Sequence, residues 1–260
     1  MKIFGCQYDV VWENKSANLD KAESLLAQAN LSPGALVVLP EMCLSGFSMN
    51  LATIAELAGS ESEQRLIELA RRHGVYLQTG LVSLGADGRS RNQSVTYSPE
   101  GKEIARYSKL HPFTLGGETA AYAAGTQVAT FQCNNWLVAP FICYDLRFPE
   151  IFRMASWRRP HLYTVIASWP EVRIGHWVKL LQARAIENQA YVIGVNRIGR
   201  DPKLNHPGRS LIVNYHGEIL ADAEGRECVI GADLDLAALE DYRRELPFLD
   251  DMRADEVRRG

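Results

Sequence analysis

The amino-acid sequence predicts one α/β domain whose sheets are covered by helices. Segments with strand and helix patterns alternate along the chain, short loops join them, and no low-complexity linker separates the two halves. The chain has 260 residues, of which 47% are hydrophobic, and this is enough for one large core. We therefore predict a single domain over residues 1–260 without solenoid repeats.

The first half alternates between the two kinds of element. KIFGCQYDVVW predicts a strand, NLDKAESLLAQANL a helix with one apolar face, and ALVVLPE a short strand stopped by Pro40. SESEQRLIELARRHG predicts a helix with a capping box from Ser60 to Glu63 and an end at Gly74. VYLQTGLVSL and NQSVTYS predict strands. The turn PEG at 99–101 predicts a hairpin into KEIARYSKL.

The second half follows the same plan. QVATFQCNNWLVAPFIC is rich in strand-forming residues, and PEIFRMASWRR predicts a helix with Pro149 near its first turn, where proline is tolerated. LYTVIAS predicts a buried strand and HWVKLLQARAIENQA a helix. YVIGVNRIG and SLIVNYHG predict strands, and AALEDYRREL predicts a late helix.

Charge and hydropathy exclude several classes of protein. The net charge is −3, and no block of Lys and Arg is present that would cover a phosphate backbone, so we expect no nucleic-acid partner. No apolar run approaches the roughly 20 residues of a membrane span. The first residues turn polar by Gln7 and make a poor signal peptide. We therefore expect no membrane partner and a cytoplasmic location.

The cysteines and histidines do not form a metal or disulfide pattern. The five cysteines are odd in number and widely spaced, and neither CxxC nor HExxH occurs. We expect no metal and a reduced environment. Cys6, Cys133 and Cys228 lie in apolar alternating segments and are predicted core residues, whereas Cys43 follows Glu41 in a loop and stays ambiguous.

Three apolar strand patterns end in a chemically reactive residue. ALVVLPE ends at Glu41, EIARYSK at Lys109 and APFIC at Cys143. Because ligands of α/β sheets collect where strands end, these side chains are predicted to converge. A carboxylate can take the proton of a thiol as it attacks a carbonyl carbon. The ammonium group, together with the backbone N–H of Tyr144, can stabilise the oxyanion. Each residue alone is equally compatible with an ordinary structural role, and the prediction rests on all three.

The residues around these strand ends resemble the motifs of the nitrilase, or carbon–nitrogen hydrolase, superfamily. LPEMCLSGFSM is similar to its glutamate motif, YSKLHPF to its lysine motif and ICYDLRFPE to its cysteine motif. ASWP followed by HWVKLLQARAIENQAYVIGVNRIG resembles the long segment that follows the cysteine in the amidase branches. One departure is Pro112, where the family pattern has leucine.

The resemblance implies a four-layer α-β-β-α sandwich and a homodimer that extends it. It also implies a catalytic triad of Glu41, Lys109 and Cys143, with Glu118 of GGETAAY as a supporting catalytic glutamate. Neither a metal nor an organic cofactor is implied. Asp145 and Arg147 are interpreted as a supporting polar network rather than as chemical groups.

The loop sequences are most similar to the small aliphatic amidases, and especially to the ω-amidases. Members of that branch hydrolyse the terminal amide of small ω-amides such as α-ketoglutaramate to a dicarboxylate and ammonia. The deaminated-glutathione amidase branch shares CYDLRFPE and is the alternative. True nitrilases carry Cys-Trp-Glu at the nucleophile, and Tyr144-Asp145 departs from that pattern.

A carboxylate-bearing substrate requires a cation, because an unpaired charge in a closed site is costly. Arg173 follows the strand that ends near Ser168, and its guanidinium could bind the carboxylate with two hydrogen bonds. The alternative is a surface arginine paired with Glu171 or Asp145. Two other function classes stay open: a non-catalytic scaffold protein, which would not need the triad, and a thiol redox protein, which would need a resolving cysteine.

Overall fold

Two β-sheets lie face to face at the centre of the molecule. The computed structural model describes residues 1–253, so residues 254–260 of the predicted domain lie outside the described residues. The strands, in chain order, are β1 (Lys2–Gln7), β2 (Leu36–Val38), β3 (Glu56–Leu57), β4 (Tyr76–Leu84), β5 (Ser90–Tyr97), β6 (Glu103–Ser108), β7 (Phe131–Cys133), β8 (Trp136–Ile142), β9 (Leu162–Ala167), β10 (Tyr191–Asn196), β11 (Ile198–Arg200), β12 (Asn205–Pro207), β13 (Leu211–Val213), β14 (Ile219–Asp222) and β15 (Cys228–Asp233).

Helices connect and cover the strands. The α-helices are α1 (Lys15–Gln28), α2 (Leu51–Ile54), α3 (Glu61–His73), α4 (Glu118–Ala121), α5 (Pro149–Ser156), α6 (Ile174–Glu187) and α7 (Leu236–Glu245). Short 3₁₀ segments occur at Thr114–Gly116, Cys143–Arg147, Glu171–Arg173 and Phe248–Asp251.

The two sheets share a mixed topology with a parallel centre. In the first sheet the strand order is β15-β1-β2-β4-β5-β6, and β3 pairs with β4 at one end. In the second sheet the order is β14-β13-β10-β9-β8-β7, and β11 and β12 form a separate hairpin. The pairs β1–β2, β2–β4, β8–β9 and β9–β10 are parallel. Their carboxyl ends therefore lie at one edge of each sheet, where the reactive strand ends were predicted to meet.

The inner faces of both sheets form one hydrophobic core. Ile3 and Val38 of the first sheet belong to the same buried cluster as Val165 and Val195 of the second. A buried amide also links the sheets, since Gln78 Nε2 donates to Thr164 Oγ1 at 2.8 Å. This polar contact between layers is fully enclosed and so fixes how the sheets are aligned.

Helices cover both outer faces and complete four layers. Leu19 and Leu26 of α1 and Leu66 and Leu69 of α3 pack in one buried cluster with Leu77 of the first sheet. On the other side α5 and α6 bury their apolar faces against the second sheet, with Phe152, Trp177 and Leu181 as the main contacts. The α-β-β-α sandwich is confirmed.

Most predicted boundaries agree with the structure, and the capping signals are confirmed. Ser60 Oγ accepts from the backbone N–H of Glu63, and Gly74 ends the helix with a left-handed φ of 61°. The carboxylate of Glu63 reaches back to the N–H of Gly59, one residue before the cap. This hydrogen bond ties the turn before the helix to the first turn of the helix.

The first strand is shorter than its apolar pattern predicted. β1 ends at Gln7, and Asp9 forms only an isolated bridge with Ile198. The backbone N–H and carbonyl of Val11 bond to the side chain of Asn18 instead of a neighbouring strand. A side chain therefore satisfies the backbone here, and the sheet ladder is not continued.

Candidate active site

The ends of three strands bring the predicted reactive side chains together. Glu41 follows β2, Lys109 follows β6 and Cys143 follows β8. Nζ of Lys109 lies 2.8 Å from Oε1 of Glu41. It lies equally close, at 2.8 Å, to Oε2 of Glu118, the first residue of α4. Lys109 therefore bridges two glutamates, and all three of these charged side chains are buried.

The bend that carries Glu41 depends on a glycine in the neighbouring strand. A Cβ atom on Gly80 would lie 2.4 Å from the carbonyl oxygen of Pro40 and 2.7 Å from Cα of Glu41. The backbone N–H of Cys43 donates to the Gly80 carbonyl at 2.9 Å and holds the bend against β4. Only glycine allows this close approach of two backbones. The next residue of the bend, Met42, has a left-handed φ of 44°.

Every carboxylate oxygen of the two glutamates accepts a hydrogen bond. Asn92 donates to Oε1 of Glu41 at 2.7 Å and to Oε1 of Glu118 at 2.8 Å. The backbone N–H of Ser168 donates to Oε2 of Glu41 at 2.8 Å. The backbone N–H of Phe113 donates to Oε2 of Glu118 at 2.6 Å. The orientation of both carboxylates is therefore fixed. The loop after Pro112 takes part in this arrangement through Phe113.

Neither Asn92 nor Ser168 was predicted. Asparagine is depleted in strands, so its presence inside β5 was the one available signal. Ser168 contributes its backbone N–H, a group that every residue except proline carries, and no sequence pattern marks it.

Cys143 combines a strained backbone with a protonated sulfur. Its φ of 46° lies in the left-handed region, which is unfavourable for a residue with a side chain. Burial raises the pKa of the thiol well above its ordinary value, and the negative charge of Glu41 raises the pKa further. Lys109 and the backbone of Ser168 oppose this shift and lower the pKa in part. A thiol with a raised pKa needs a nearby base to become a nucleophile.

Lys109 stays charged in spite of its burial. Burial alone would lower the pKa of its ammonium group, but Glu41 and Glu118 outweigh burial and raise the pKa above the ordinary value. The ring of Phe47 lies 5.4 Å from Nζ and adds a cation–π contact. The cluster thus holds a permanent positive charge close to the thiol.

Asp145 organises the loop that carries the cysteine. Its carboxylate accepts from Tyr107 Oη at 2.8 Å, from the backbone N–H of His111 at 2.9 Å and from that of Ile142 at 3.1 Å. It is fully buried. These bonds tie the end of β8 to the end of β6, and they support the interpretation of Asp145 as a structural residue.

Cys143 opens onto a pocket of about 360 Å³. Aromatic and cationic side chains dominate its walls. The aromatic lining residues are Trp12, Phe47, Phe113, Tyr144 and Trp169, and the cationic ones are Arg147, Arg173 and Lys203. Tyr144 follows the cysteine directly, and its ring packs 4.9 Å from that of Phe113. An amide of a few carbons fits a space of this size.

Two arginines form one wall of the pocket. The guanidinium of Arg173 lies 5.7 Å from the ring of Phe113, and that of Arg147 lies 4.7 Å from the ring of Trp169. Burial lowers the pKa of Arg147, and the charge of Arg173 lowers it further. Within residues 1–253 the arginine–carboxylate salt bridges involve other arginines. The alternative prediction, a surface Arg173 paired with Glu171 or Asp145, is therefore wrong.

The interpretation of Arg147 as part of the Asp145 network is also wrong. Arg147 is the last residue of the 3₁₀ segment that begins at Cys143, and this tighter turn directs it into the pocket. Nη1 of Arg147 lies 3.4 Å from Nδ1 of His176. Arg147 is thus a second cation available to a ligand.

The β11–β12 hairpin closes the opposite side of the pocket and was not predicted to do so. Asp201 accepts from the backbone N–H groups of Lys203 and Leu204, both at 2.7 Å, and contacts His206 Nε2 at 2.9 Å. All four residues line the pocket. The carboxylate of Asp201 therefore forms its hydrogen bonds within its own loop.

The five cysteines differ in how far they are buried. All five cysteines are free thiols, and Cys6 and Cys133 are buried as predicted. Cys228 is partly exposed and packs against the edge of the main core cluster. Cys43 belongs to the cluster under α1 and α3, and burial raises its pKa to about 12. In the described part of the chain no group of His, Cys, Asp and Glu could hold a metal ion, and no helix is long and apolar enough to span a membrane.

A sandwich of this topology, with a cysteine, a lysine and a glutamate at its strand ends and a second glutamate at the start of α4, is typical of hydrolases of carbon–nitrogen bonds. Residues 4–244 match the family model described as carbon-nitrogen hydrolase. The chain belongs to the carbon–nitrogen hydrolase family.

Similar proteins cover nearly the whole chain. It is 33% identical to a 2-oxoglutaramate amidase of Bacillus subtilis over 250 residues, 96% of each chain. It is 38% identical to the omega-amidase YafV of Yersinia enterocolitica over 256 residues, again 96% of each chain. A solved CN-hydrolase superfamily protein of Xanthomonas campestris, with an arsenic adduct in its active site, superposes with a TM-score of 0.92 at 30% identity. That match covers 98% of this chain and 97% of the other.

Proposed function

We propose that this enzyme is an ω-amidase, which hydrolyses the terminal amide of a small carboxylate-bearing substrate such as 2-oxoglutaramate (α-ketoglutaramate). The observation that carries this proposal is a pocket onto which Cys143 opens, beside the Lys109–Glu41–Glu118 cluster, and which two arginines line without a carboxylate partner among residues 1–253. The cluster suits attack on an amide carbonyl, and the arginines suit a carboxylate at the far end of the substrate. Relatives named omega-amidase and 2-oxoglutaramate amidase support the same substrate class.

Acylation begins with transfer of the Cys143 proton to Glu41. The sulfur attacks the amide carbon, and the carbonyl electrons move onto the oxygen. The resulting oxyanion is stabilised by the Lys109 ammonium and the backbone N–H of Tyr144. Glu41 then returns the proton to the amide nitrogen, ammonia leaves, and a thioester on Cys143 is formed.

Deacylation repeats the sequence with water. Glu41 removes a proton from the water, the hydroxide oxygen attacks the thioester carbon, and the same donors stabilise the second oxyanion. The thiolate leaves and recovers the proton. Glu118 does not exchange protons in this scheme, and it holds Lys109 in place through its contact at 2.8 Å.

The substrate carboxylate is assigned to the arginine wall. Arg173 is the primary ligand, and Arg147 adds a second guanidinium beside it. A bound carboxylate would offset the repulsion between the two cations, and this makes binding of an anion more favourable. An uncharged amide of equal length gains nothing there.

A substrate panel tests the proposal. Purified enzyme is given 2-oxoglutaramate, a short uncharged amide such as butyramide, and deaminated glutathione, with ammonia or 2-oxoglutarate measured as product. We expect kcat/KM to be highest for 2-oxoglutaramate. Higher kcat/KM on deaminated glutathione would favour the alternative branch, and preference for butyramide would overturn the ω-amidase assignment. No product from any amide would favour the non-catalytic alternative.

We also propose a cytoplasmic homodimer with one domain over residues 1–260. Exposed apolar side chains support an interface between two copies of the chain: Met154 of α5, Trp157 directly after α5, and Ile186 of α6. Burying such a surface is a common reason for self-association. Sedimentation analysis of the full chain and of the variant Trp157→Glu measures it, with a dimer expected for the first and a weakened dimer for the second.

A further inference from the structure

Asn92 is placed between the two glutamates of the active site. It lies in β5, is 1% exposed, and its amide nitrogen donates one hydrogen to Glu41 Oε1 at 2.7 Å and one to Glu118 Oε1 at 2.8 Å. The orientation of the amide is fixed by this pair, because a rotated amide would direct its oxygen at two carboxylates. No other neutral side chain described in the cluster bonds both glutamates.

The amide oxygen of Asn92 is left without a partner among the described residues. A buried acceptor that lacks a hydrogen bond destabilises a fold, so an apolar side chain of similar size would suit this position better for stability alone. Both amide hydrogens are used, whereas the oxygen is unused. The side chain is therefore arranged to serve the carboxylates and not the packing of β5.

The backbone of Asn92 supports the same site. Its carbonyl accepts from the backbone N–H of Lys109 at 2.9 Å, which fixes the end of β6 where the lysine emerges. One residue thus holds the backbone of the lysine and the side chains of both of its carboxylate partners. A change of the side chain leaves the backbone bond in place, so the two contributions can be separated by mutation.

We propose that Asn92 is a positioning residue, which donates to Glu41 and Glu118 so that Glu41 faces the thiol while Lys109 stays between the two carboxylates. This inference rests on the proposed function. Two carboxylates near one ammonium repel each other, and the two hydrogen bonds that Asn92 donates to their Oε1 atoms offset that repulsion. Without the amide, Glu41 is held by Lys109 and Ser168 alone and can rotate away from Cys143.

The titratable groups around this point are few and come from several elements. Lys109 follows β6, Glu118 begins α4, Cys143 follows β8, and Tyr122 follows α4 with its pKa raised by burial and by both glutamates. Burial raises the pKa of the Cys143 thiol, so reaction of the sulfur depends on a base held close to it. Loss of the Asn92 donors lets Glu41 move away from the sulfur, and the acid limb of Cys143 alkylation then moves to higher pH.

The test compares Asn92→Leu with Gln93→Leu. Gln93 is the adjacent residue of β5, and its amide bonds Ser108 and Arg106 away from the cluster. Alkylation of Cys143 by iodoacetamide is followed by mass spectrometry across pH, together with kcat and KM on the amide that the wild type prefers. Alkylation needs no substrate, so it reports on Asn92 even if the proposed function fails.

For Asn92→Leu we expect kcat to fall about 100-fold with KM nearly unchanged, as for loss of a group that acts in the transition state. The acid limb of Cys143 alkylation moves up by about one pH unit, because a thiol without its base in place ionises only at higher pH. Gln93→Leu keeps the wild-type profile. Unchanged alkylation and kcat in Asn92→Leu would overturn the proposal.

A second variant covers the case in which Asn92→Leu does not fold. Asn92→Ser can donate one hydrogen bond instead of two, so its kcat and its acid limb should lie between those of the wild type and of a full loss. Wild-type values for both measurements in Asn92→Ser would contradict the assignment. A loss of thermal stability without a changed pH profile would show that Asn92 is structural.

Discussion

The buried cluster beside Cys143 and the arginine wall of the pocket differ in how their charges are paired. The cluster, called the floor, consists of Cys143 with Lys109, Glu41 and Glu118, and every oxygen of the two carboxylates accepts a hydrogen bond. The wall consists of Arg147 and Arg173, which line the pocket beside aromatic rings and have no carboxylate partner in the described part of the chain. The charges of the floor are therefore paired within the protein, and those of the wall have no carboxylate partner there.

This difference separates chemistry from recognition. Groups that must act in a fixed geometry gain from being fully bonded before substrate arrives, because no reorganisation is then needed in the transition state. Groups that recognise a ligand must instead keep a hydrogen-bond donor or acceptor free for that ligand. The buried ion pairs of the floor belong to the fold, whereas under the proposed function the cations of the wall pair with a charge that the substrate brings.

The largest expected effect comes from removing the sulfur on the floor. Cys143→Ala should reduce turnover by roughly 10⁶-fold, since a hydrolase without its nucleophile keeps only the contribution of the oxyanion donors and of binding. Mass spectrometry of the rapidly quenched wild type should show the acyl group on Cys143. Near-wild-type turnover by the alanine variant, with its fold confirmed by circular dichroism, would remove the basis of the mechanism.

Replacing the base should have the next largest effect. Glu41→Gln keeps the shape but cannot accept a proton, and loss of a general base costs about 10²–10⁴-fold in kcat. It also leaves Lys109 with Glu118 as its one carboxylate, so unfolding should become easier by about 3 kcal/mol. Urea denaturation and steady-state kinetics measure the two effects separately. Retention of full kcat would show that another group takes the thiol proton.

The floor was largely predictable from the sequence, because its side chains lie where apolar strands stop. An abrupt change from apolar residues to Glu41, Lys109 or Cys143 marks a strand end, and parallel strands bring such ends to one edge. The structure shows Lys109 in contact with Glu41 and Glu118. The helix start at Ser60 was predictable for a similar reason, since a capping bond is local in sequence.

The other contacts of the site depend on how segments far apart in the chain pack together. Sequence patterns do not report such distances. Asn92 and Ser168 reach Glu41 from β5 and from the end of β9, and both are far from it along the chain. Arg147 was assigned to the wrong environment because a 3₁₀ turn and an α-turn direct the fourth residue after Cys143 differently. The β11–β12 hairpin closes the pocket through turn geometry, which no apolar pattern reports.

The smallest expected effect, and the one that tests the wall, is that of Arg173→Met. Methionine keeps an unbranched apolar side chain but removes the guanidinium, its charge and its contact with Phe113. We expect kcat/KM on 2-oxoglutaramate to fall about 10- to 100-fold, mostly through KM, which corresponds to the loss of hydrogen bonds to a charged group. The same variant should hydrolyse butyramide within about threefold of wild type, since an uncharged amide does not use the cation.

The matched control is Arg89→Met, which removes an exposed arginine of the β4–β5 turn outside this pocket. It should leave both substrates unchanged. Equal losses on the charged and the uncharged amide in Arg173→Met would show that Arg173 holds the wall in shape and does not bind the substrate. Because Arg147 lies beside it, the same comparison in Arg147→Met decides how the carboxylate is shared. A loss confined to the charged amide in both variants would mean that the two arginines bind it together.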